Sequence, residues 1–284
     1  MKKITEAVKQ KVIGIDQRYR SSWNVRSIAH VVGIGHTTVA KILKEARGDR
    51  PKPGKRPHEG RTRFTRRDVM WSSDFVELPG KRWLLKTMDE MSRFRLGWTV
   101  CLSQTAEAVE RHAADIVDRM GRAPLVWKFD HGSQFTGEPF QWVLDEYDII
   151  PYPTPPRAPW ANGRVERDHQ EIQNWLIPLE NTPRTDDDLE REVDEGLFML
   201  NFIKPRMVLD YHTSADVYFH AEGVESVDRE WLALDIEDYR GLLGPNGGER
   251  LHRRAVRNAL MSWGFLEEWR EGEKVARFVN TSQP

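Results

Sequence analysis

Val69-Met70-Trp71-Ser72-Ser73-Asp74-Phe75-Val76 reads as a strand that carries one carboxylate in an otherwise apolar run. Its β-branched and aromatic residues suit a pleated, packed surface. Pro79-Gly80 supply a turn, and residues 82–88 and 94–102 read as two further strands, so the three form an antiparallel meander. Beyond the meander the period changes. Over residues 104–120 apolar side chains recur at helical spacing, with Ala106, Val109, Ala113, Ile116, Val117 and Met120 facing inward. A short strand over 124–129 ends at Asp130, residues 137–147 read as a helix and 149–152 as a strand. The Pro-rich loop PTPPRAPWANG then leads into a helix beginning at Gly163 or Arg164. Residues 185–203 give a long helix with Thr185 as its cap, ahead of Asp186, Asp187 and Asp188, whose charges favour the positive helix end. Three strands in series followed by alternating helix and strand predict an α/β fold, a mixed sheet with helices on its faces.

Upstream, residues 5–19 read as a helix with Val8, Val12 and Ile15 on one side. The run VRSIAHVVGIGHTTVAKILKEA, residues 25–46, gives one short helix an apolar face of Ile28, Ala29 and Val32 and a second helix a face of Val39, Ile42 and Leu43. Gly33 permits the tight turn between them. This is a helix-turn-helix pattern, whose second helix lies in the major groove, with His36, Thr37, Thr38 and Lys41 as the readers. Any small helical hairpin would show the same spacing. Residues 47–67 shift to Pro, Gly, Lys and Arg, and three prolines and three glycines prevent a continuous helix. We read them as an interdomain linker that tracks a DNA backbone, with Lys52, Lys55, Arg56 and Arg61 on phosphates, against the plainer reading of a solvating linker. The expected domains are therefore 1–46 helix-turn-helix, 47–67 linker, 68–206 catalytic core and 207–284 a small C-terminal module. In that last part Ser214 can start a helix, residues 222–245 read as irregular, a helix begins at Gly248, and 273–279 read as one strand.

The bulk charge conceals an asymmetry. Residues 1–67 hold 18 Lys or Arg against 5 Asp or Glu, and the remainder 25 against 39. One end suits a polyanion, and nucleic acid satisfies both ends if the acidic part contains carboxylates that hold metal. A hydrophobic fraction of 39% with 31% charged residues describes a globular protein, and no run reaches the roughly 18 apolar residues of a membrane span. Export is not indicated, and a cytoplasmic, nucleoid-associated protein is expected. The single cysteine, Cys101, cannot form an internal disulfide or a cysteine-based zinc site, and its neighbours Val100 and Leu102 suggest buried packing.

Three carboxylates stand out. Asp74 facing inward from its strand is costly unless a cation or hydrogen bonds compensate it, though a strand-edge Asp facing water is the simpler reading. Asp130 ends a strand and opens the polar turn His131-Gly132-Ser133-Gln134, at the sheet rim where such folds put binding groups; a turn-capping Asp is the alternative. Glu166 follows the rigid loop, in the first turn of the next helix, flanked by Arg164 and Arg167, which can grip phosphates or simply pair with it. Together the three suit hard divalent cations: two magnesium ions about 3.5 to 4 Å apart need few carboxylates, with water and phosphate filling the other positions.

The segments Trp71-Ser72-Ser73-Asp74, Phe129 to Phe135 and Pro155 to Arg167 resemble, in order, the three characteristic segments of the retroviral-integrase-like catalytic core, shared by insertion-sequence transposases and integrases. The 35 residues between Asp130 and Glu166 match that family's spacing, and the resemblance covers about residues 68–206. It implies a ribonuclease-H-like mixed five-stranded sheet with Asp74, Asp130 and Glu166 as catalytic metal ligands. It further implies Mg2+, or Mn2+ in its place, as cofactor, cleavage at element ends, and 3′-hydroxyl strand transfer into double-stranded target DNA by a homo-oligomer. Gln134 and Asn162 resemble positions that approach DNA or order the active-site loop, Arg164 and Arg167 resemble basic positions near DNA, and Gly132 and Gly163 permit turns. One cysteine cannot supply the paired-histidine, paired-cysteine zinc module that opens retroviral integrases, and the helix-turn-helix start resembles bacterial insertion-sequence transposases instead. Two other functions fit the same residues: a metal-dependent DNA endonuclease that never joins, and a domesticated DNA-binding regulator.

Overall fold

The structure is a computed structural model that describes residues 4–19, 23–47, 61–78, 80–155, 163–176, 185–244, 247–270 and 273–274, without the side chains of 61, 163–166, 270, 273 and 274. Along the chain the helices are α1 (Glu6–Arg18), α2 (Val25–Val32), α3 (His36–Arg47), α4 (Ala106–Met120), α5 (Ser133–Thr136), α6 (Glu138–Glu146), α7 (Gly163–Leu176), α8 (Asp186–Phe198), α9 (Ser214–His220), α10 (Arg229–Leu243) and α11 (Gly248–Ser262). The strands are β1 (Arg61–Phe64), β2 (Met70–Leu78), β3 (Arg82–Asp89), β4 (Arg95–Cys101), β5 (Val126–Phe129), β6 (Ile150–Pro153), β7 (Leu266–Arg270) and β8 (Glu273–Lys274). These elements form two compact units, one from Met1–Pro57 with Glu166–Phe219 and one from His58–Val165 with His220–Pro284.

The second unit is built on a five-stranded sheet of order β4-β3-β2-β5-β6. β2, β3 and β4 pair antiparallel as the meander predicts, while β5 and β6 extend the sheet in parallel with β2. This is the mixed five-stranded sheet that the resemblance implies. Parallel neighbours need crossovers, and α4 with the α5–α6 pair supplies them. Thr105 caps α4 by accepting from the Ala108 N–H at 3.2 Å, and Gly121 ends the helix at φ 62°. Ile116 of α4 comes so near β4 that a Cβ on Gly97 would lie 2.4 Å from its Cγ1. Cys101, expected to be packed inside, is only half-buried at the end of the edge strand β4, followed by the 70% exposed Leu102.

A chain of buried polar contacts crosses this sheet. The Trp127 indole donates to Ser73 Oγ at 2.7 Å, Ser73 meets Thr87 Oγ1 at 2.6 Å, and His112 of α4 bridges Thr87 and Thr99 at 2.9 Å each. A neutral imidazole, one donor and one acceptor, fits between two hydroxyls. Burial, and secondly the Arg119 charge, push His112 from 6.5 down to about 3. The unfolded chain therefore takes up a proton that the fold refuses, so stability is full above pH 6.5 and is lost as pH falls through this window. His112→Gln is expected to lower the pH slope of the unfolding free energy there by about 1.4 kcal/mol per pH unit. Urea titrations at stepped pH measure it, and an unchanged slope would show that the ring is charged in the fold.

The C-terminal segment departs from the sequence reading. Within the stretch read as irregular, residues 229–243 form α10: Asp228 accepts from the Trp231 N–H at 3.0 Å to start it, and Leu232, Ile236 and Tyr239 bury one face. Their spacing of four and three is helical, but intervening acidic residues mask it. These side chains join Phe64, Met70, Val126, Val256, Leu260 and Phe265 in one core cluster. Arg229 fastens α10 by donating to the carbonyls of Ala123 and Pro124 at 2.7 Å. Part of the segment read as linker is β1, which pairs antiparallel with β7 (Arg61↔Trp269), and β8 completes a second, three-stranded sheet.

The first unit is helical. Asn24 caps α2, Gly33 ends it at φ 74°, and α3 follows, with Ile28, Val39, Ile42 and Leu43 buried as predicted. Thr185 and Asp188 form a reciprocal capping box at the start of α8, which passes at Met199–Ile203 into a π-helical turn. The helical trio is tied to this later segment: the Trp23 indole reaches Met199 Sδ at 3.3 Å, and Ser27 Oγ donates to the Pro205 carbonyl at 2.6 Å. Glu171 accepts from both Lys204 and Arg206 at 2.9 Å, an ion triad whose lysine is 2% exposed. Among the described residues no helix is long and apolar enough to cross a membrane.

Candidate active site

β2 and β5 run parallel with Ser72 paired to Lys128. Asp74 and Asp130 each stand two residues further on. Because side chains alternate with a period of two and adjacent strands are about 4.8 Å apart, the two aspartates take neighbouring positions on one face, just past the stretch over which β2 and β5 pair. Asp130 directly follows β5, and its Oδ1 accepts from the Gly132 N–H at 2.9 Å, a turn that fixes the carboxylate at the rim. Asp74 Oδ1 accepts from its neighbour's N–H, Phe75, at 2.8 Å.

The surroundings perturb Asp74 strongly. Burial, and then the charge of Asp130, raise it to about 6, against the opposing pull of Lys86 and Lys128 and the Phe75 N–H. Lys86 lies across the β2–β3 ladder from Asp74, 2% exposed, and Lys128, 8% exposed, also pairs with Glu90 Oε1 at 3.4 Å. These buried lysines provide the cationic compensation that an inward carboxylate requires. The sequence reading passed over both. A lysine inside LLKTM or LVWKF was the available signal, since apolar strands rarely bury an ammonium without an anion to receive it.

A buried carboxylate whose proton affinity is raised by burial and by a second carboxylate beside it forms, with that neighbour, an oxygen donor set for a hard cation, whose charge would offset the repulsion. Magnesium therefore fits Asp74 and Asp130. Among the described residues no group of three or more His, Cys, Asp and Glu is gathered for a metal. Glu166 lies in the first turn of α7, and its side chain is outside the described residues.

The other predicted residues fall in several places. His36, Thr37 and Lys41 are exposed on α3, and Thr38 is half-buried. Gln134 is half-buried on α5, its amide 3.4 Å from Gln104 Oε1. Arg167 is exposed on α7. Arg61 belongs to β1, and its side chain, like that of Arg164, is outside the described residues, as are Lys52, Lys55, Arg56 and Asn162 altogether. Gly132 turns at φ −59°, within reach of any residue, but an added Cβ would come within 2.1 Å of the Gln134 side chain, which would have to shift.

Residues 65–159 match the family model of the integrase core domain, a segment that contains both aspartates. A Gag-Pro-Pol polyprotein of squirrel monkey retrovirus is 28% identical over 145 residues, 48% of this chain, which spans 7% of that relative's length. Solved structures similar to the chain include the HTLV-2 integrase catalytic core domain in complex with magnesium, 20% identical with a TM-score of 0.45, covering 55% of this chain and 99% of that one. The catalytic core domain of BIV integrase is likewise 20% identical with a TM-score of 0.45, over 54% and 94% of the two chains. A simian T-cell lymphotropic virus intasome in complex with PP2A regulatory subunit B56 gamma is 16% identical with a TM-score of 0.49, over 74% of each.

Proposed function

We propose, from the premise that the chain belongs through its core to the integrase–transposase superfamily, that it is a DNA transposase or integrase that cleaves element ends and transfers them into target DNA. The observation that carries this reading is the placement of Asp74, within β2, beside Asp130, which follows β5, on neighbouring parallel strands inside the matched segment. Glu166 is the third metal ligand that the resemblance implies. Magnesium or manganese, when bound, supplies the charge that acidifies the attacking hydroxyl and stabilises the departing oxygen of the phosphodiester. The chain's own residues do the rest. Asp74 and Asp130 fix where the phosphate sits, Lys86 and Lys128 favour the ionised form of Asp74, and Arg164 and Arg167 hold phosphates beside the scissile bond. Residues 1–46 recognise the ends through α3, residues 47–67 follow the backbone, and a homo-oligomer on DNA brings two ends together.

The test is a strand-transfer reaction with duplexes taken from the DNA bracketing the gene and a supercoiled target. Joined products are expected with magnesium and none with EDTA. Nicked DNA without joining would replace this reading with a cutting-only endonuclease, and DNA binding without cutting or joining would favour a regulator that kept the fold.

A further inference from the structure

Within the helical unit, a cleft of about 450 Å³ opens beside the start of α3. Arg26, Ala29, His30, Ile34, Gly35 and His36 line it from the helix-turn-helix, and Met207 and Tyr211 from the segment that follows α8. The His30 and Tyr211 rings stack nearly parallel, 4.0 Å apart and 3° from coplanar. The 206–212 loop holds Tyr211 firmly: Asp210 and Tyr211 take φ of 51° and 67°, a left-handed conformation uncommon for residues other than glycine. Arg206 N–H donates to the His212 carbonyl at 3.0 Å, the Tyr211 N–H to the Arg206 carbonyl at 2.9 Å, and the Arg206 side chain is fixed to Glu171 and Ser214.

The charge in the cleft has one sign. No lining residue is acidic, and the neighbouring Asp210 is not among them. Arg26 is exposed, and among the described residues its guanidinium donates to the Met207 thioether at 3.0 Å, a weak acceptor that leaves most of its five donors for a stronger one. A phosphate is the group that matches a planar guanidinium fork next to histidines and a phenol.

We propose that this cleft is a second DNA-contacting surface, in which Arg26 and Tyr211 take a phosphate of the duplex next to the bases read by α3. The proposal rests on the reading that α3 binds DNA, and it adds the 206–212 loop, from the far side of the sequence, to the interface. A loop already closed loses little freedom on binding, so Tyr211 adds contact at small entropic cost.

The experiment is fluorescence anisotropy of the full chain with a fluorescein-labelled duplex of arbitrary sequence, across a series of salt concentrations. Arg26→Gln is expected to weaken binding about five- to tenfold and lower the log–log salt slope by about 1, with Arg26→Lys restoring most of the affinity. Tyr211→Phe, which keeps the ring stack, is expected to weaken it about threefold. Lys41→Ala reports separately on α3. If Lys41→Ala weakens binding while Arg26→Gln and Tyr211→Phe stay within twofold of the parent at unchanged slope, the cleft proposal is overturned and DNA reading by α3 stands. If Arg26→Gln and Tyr211→Phe weaken binding and Lys41→Ala does not, a phosphate contact at the cleft stands, but its place beside bases read by α3 is overturned together with the assignment of α3. A parent chain that shows no salt-dependent binding overturns both.

Discussion

Asp74→Asn and Asp130→Asn are each expected to lower DNA cleavage and joining by more than about a hundredfold while DNA binding changes little, and Glu166→Gln to do the same. An amide keeps the size and one acceptor oxygen of the carboxylate and removes the charge that holds a hard cation. The fold gives this prediction an unusual control. Asp74 is raised to about 6 by burial and by Asp130, so the folded protein keeps its proton to higher pH than the unfolded chain does. Stability contributed by the protonated form is therefore full below 3.8 and is lost as pH rises through about 6, and at pH 7.5 the ionised Asp74 is a burden on the fold. Asp74→Asn removes that burden. Its melting temperature at pH 7.5 is expected to equal or exceed the parent's, read by differential scanning fluorimetry alongside the strand-transfer assay. Loss of activity together with a lowered melting temperature and lost DNA binding would mean that these carboxylates build the fold.

Trp127→Ala is expected to destabilise the sheet unit by about 3–5 kcal/mol, the range for removing a large aromatic side chain from a core. Trp127 is 0% exposed and packs edge-on against Trp71 at 5.3 Å and Phe140 at 5.6 Å, so it joins β2, β5 and α6. Truncation leaves a cavity among rings that cannot easily close it, and it takes away the donor at one end of the buried polar chain. Trp127→Phe keeps one ring and should cost less, about 1–3 kcal/mol, chiefly the lost hydrogen bond and part of the packing. Urea unfolding measures both. Equal losses for Ala and Phe would assign the stability to the indole N–H alone, and a loss under 1 kcal/mol for Ala would show that the site collapses freely.

The sheet was legible because its strands carry their own evidence. VMWSSDFV, the two runs that follow the Pro-Gly turn, and LVWKF are short β-branched or aromatic stretches bounded by turn residues, and each fell where it was expected. The helix-turn-helix was equally plain, since Gly33 and two apolar faces are local features. α10 was missed because acidic residues between Leu232, Ile236 and Tyr239 conceal a face that only packing against Val256 and Leu260 makes apolar. β1 was missed because four residues with a single apolar side chain, Phe64, show no period of their own, and the strand exists by pairing with β7, some 200 residues away.

The residue types and the order of the three acidic segments were thus written in the chain itself, along with the helices whose periodicity is local. The partners were not. That Asp74 faces Asp130 on one side and Lys86 on another, that His112 spans two threonines, and that Tyr211 lies on His30 all follow from strand pairing and from chain segments returning from far away. Short-range sterics and hydrophobic spacing act within a few residues and can be read in order, whereas charge coupling and burial depend on distance through space, which only the folded chain defines.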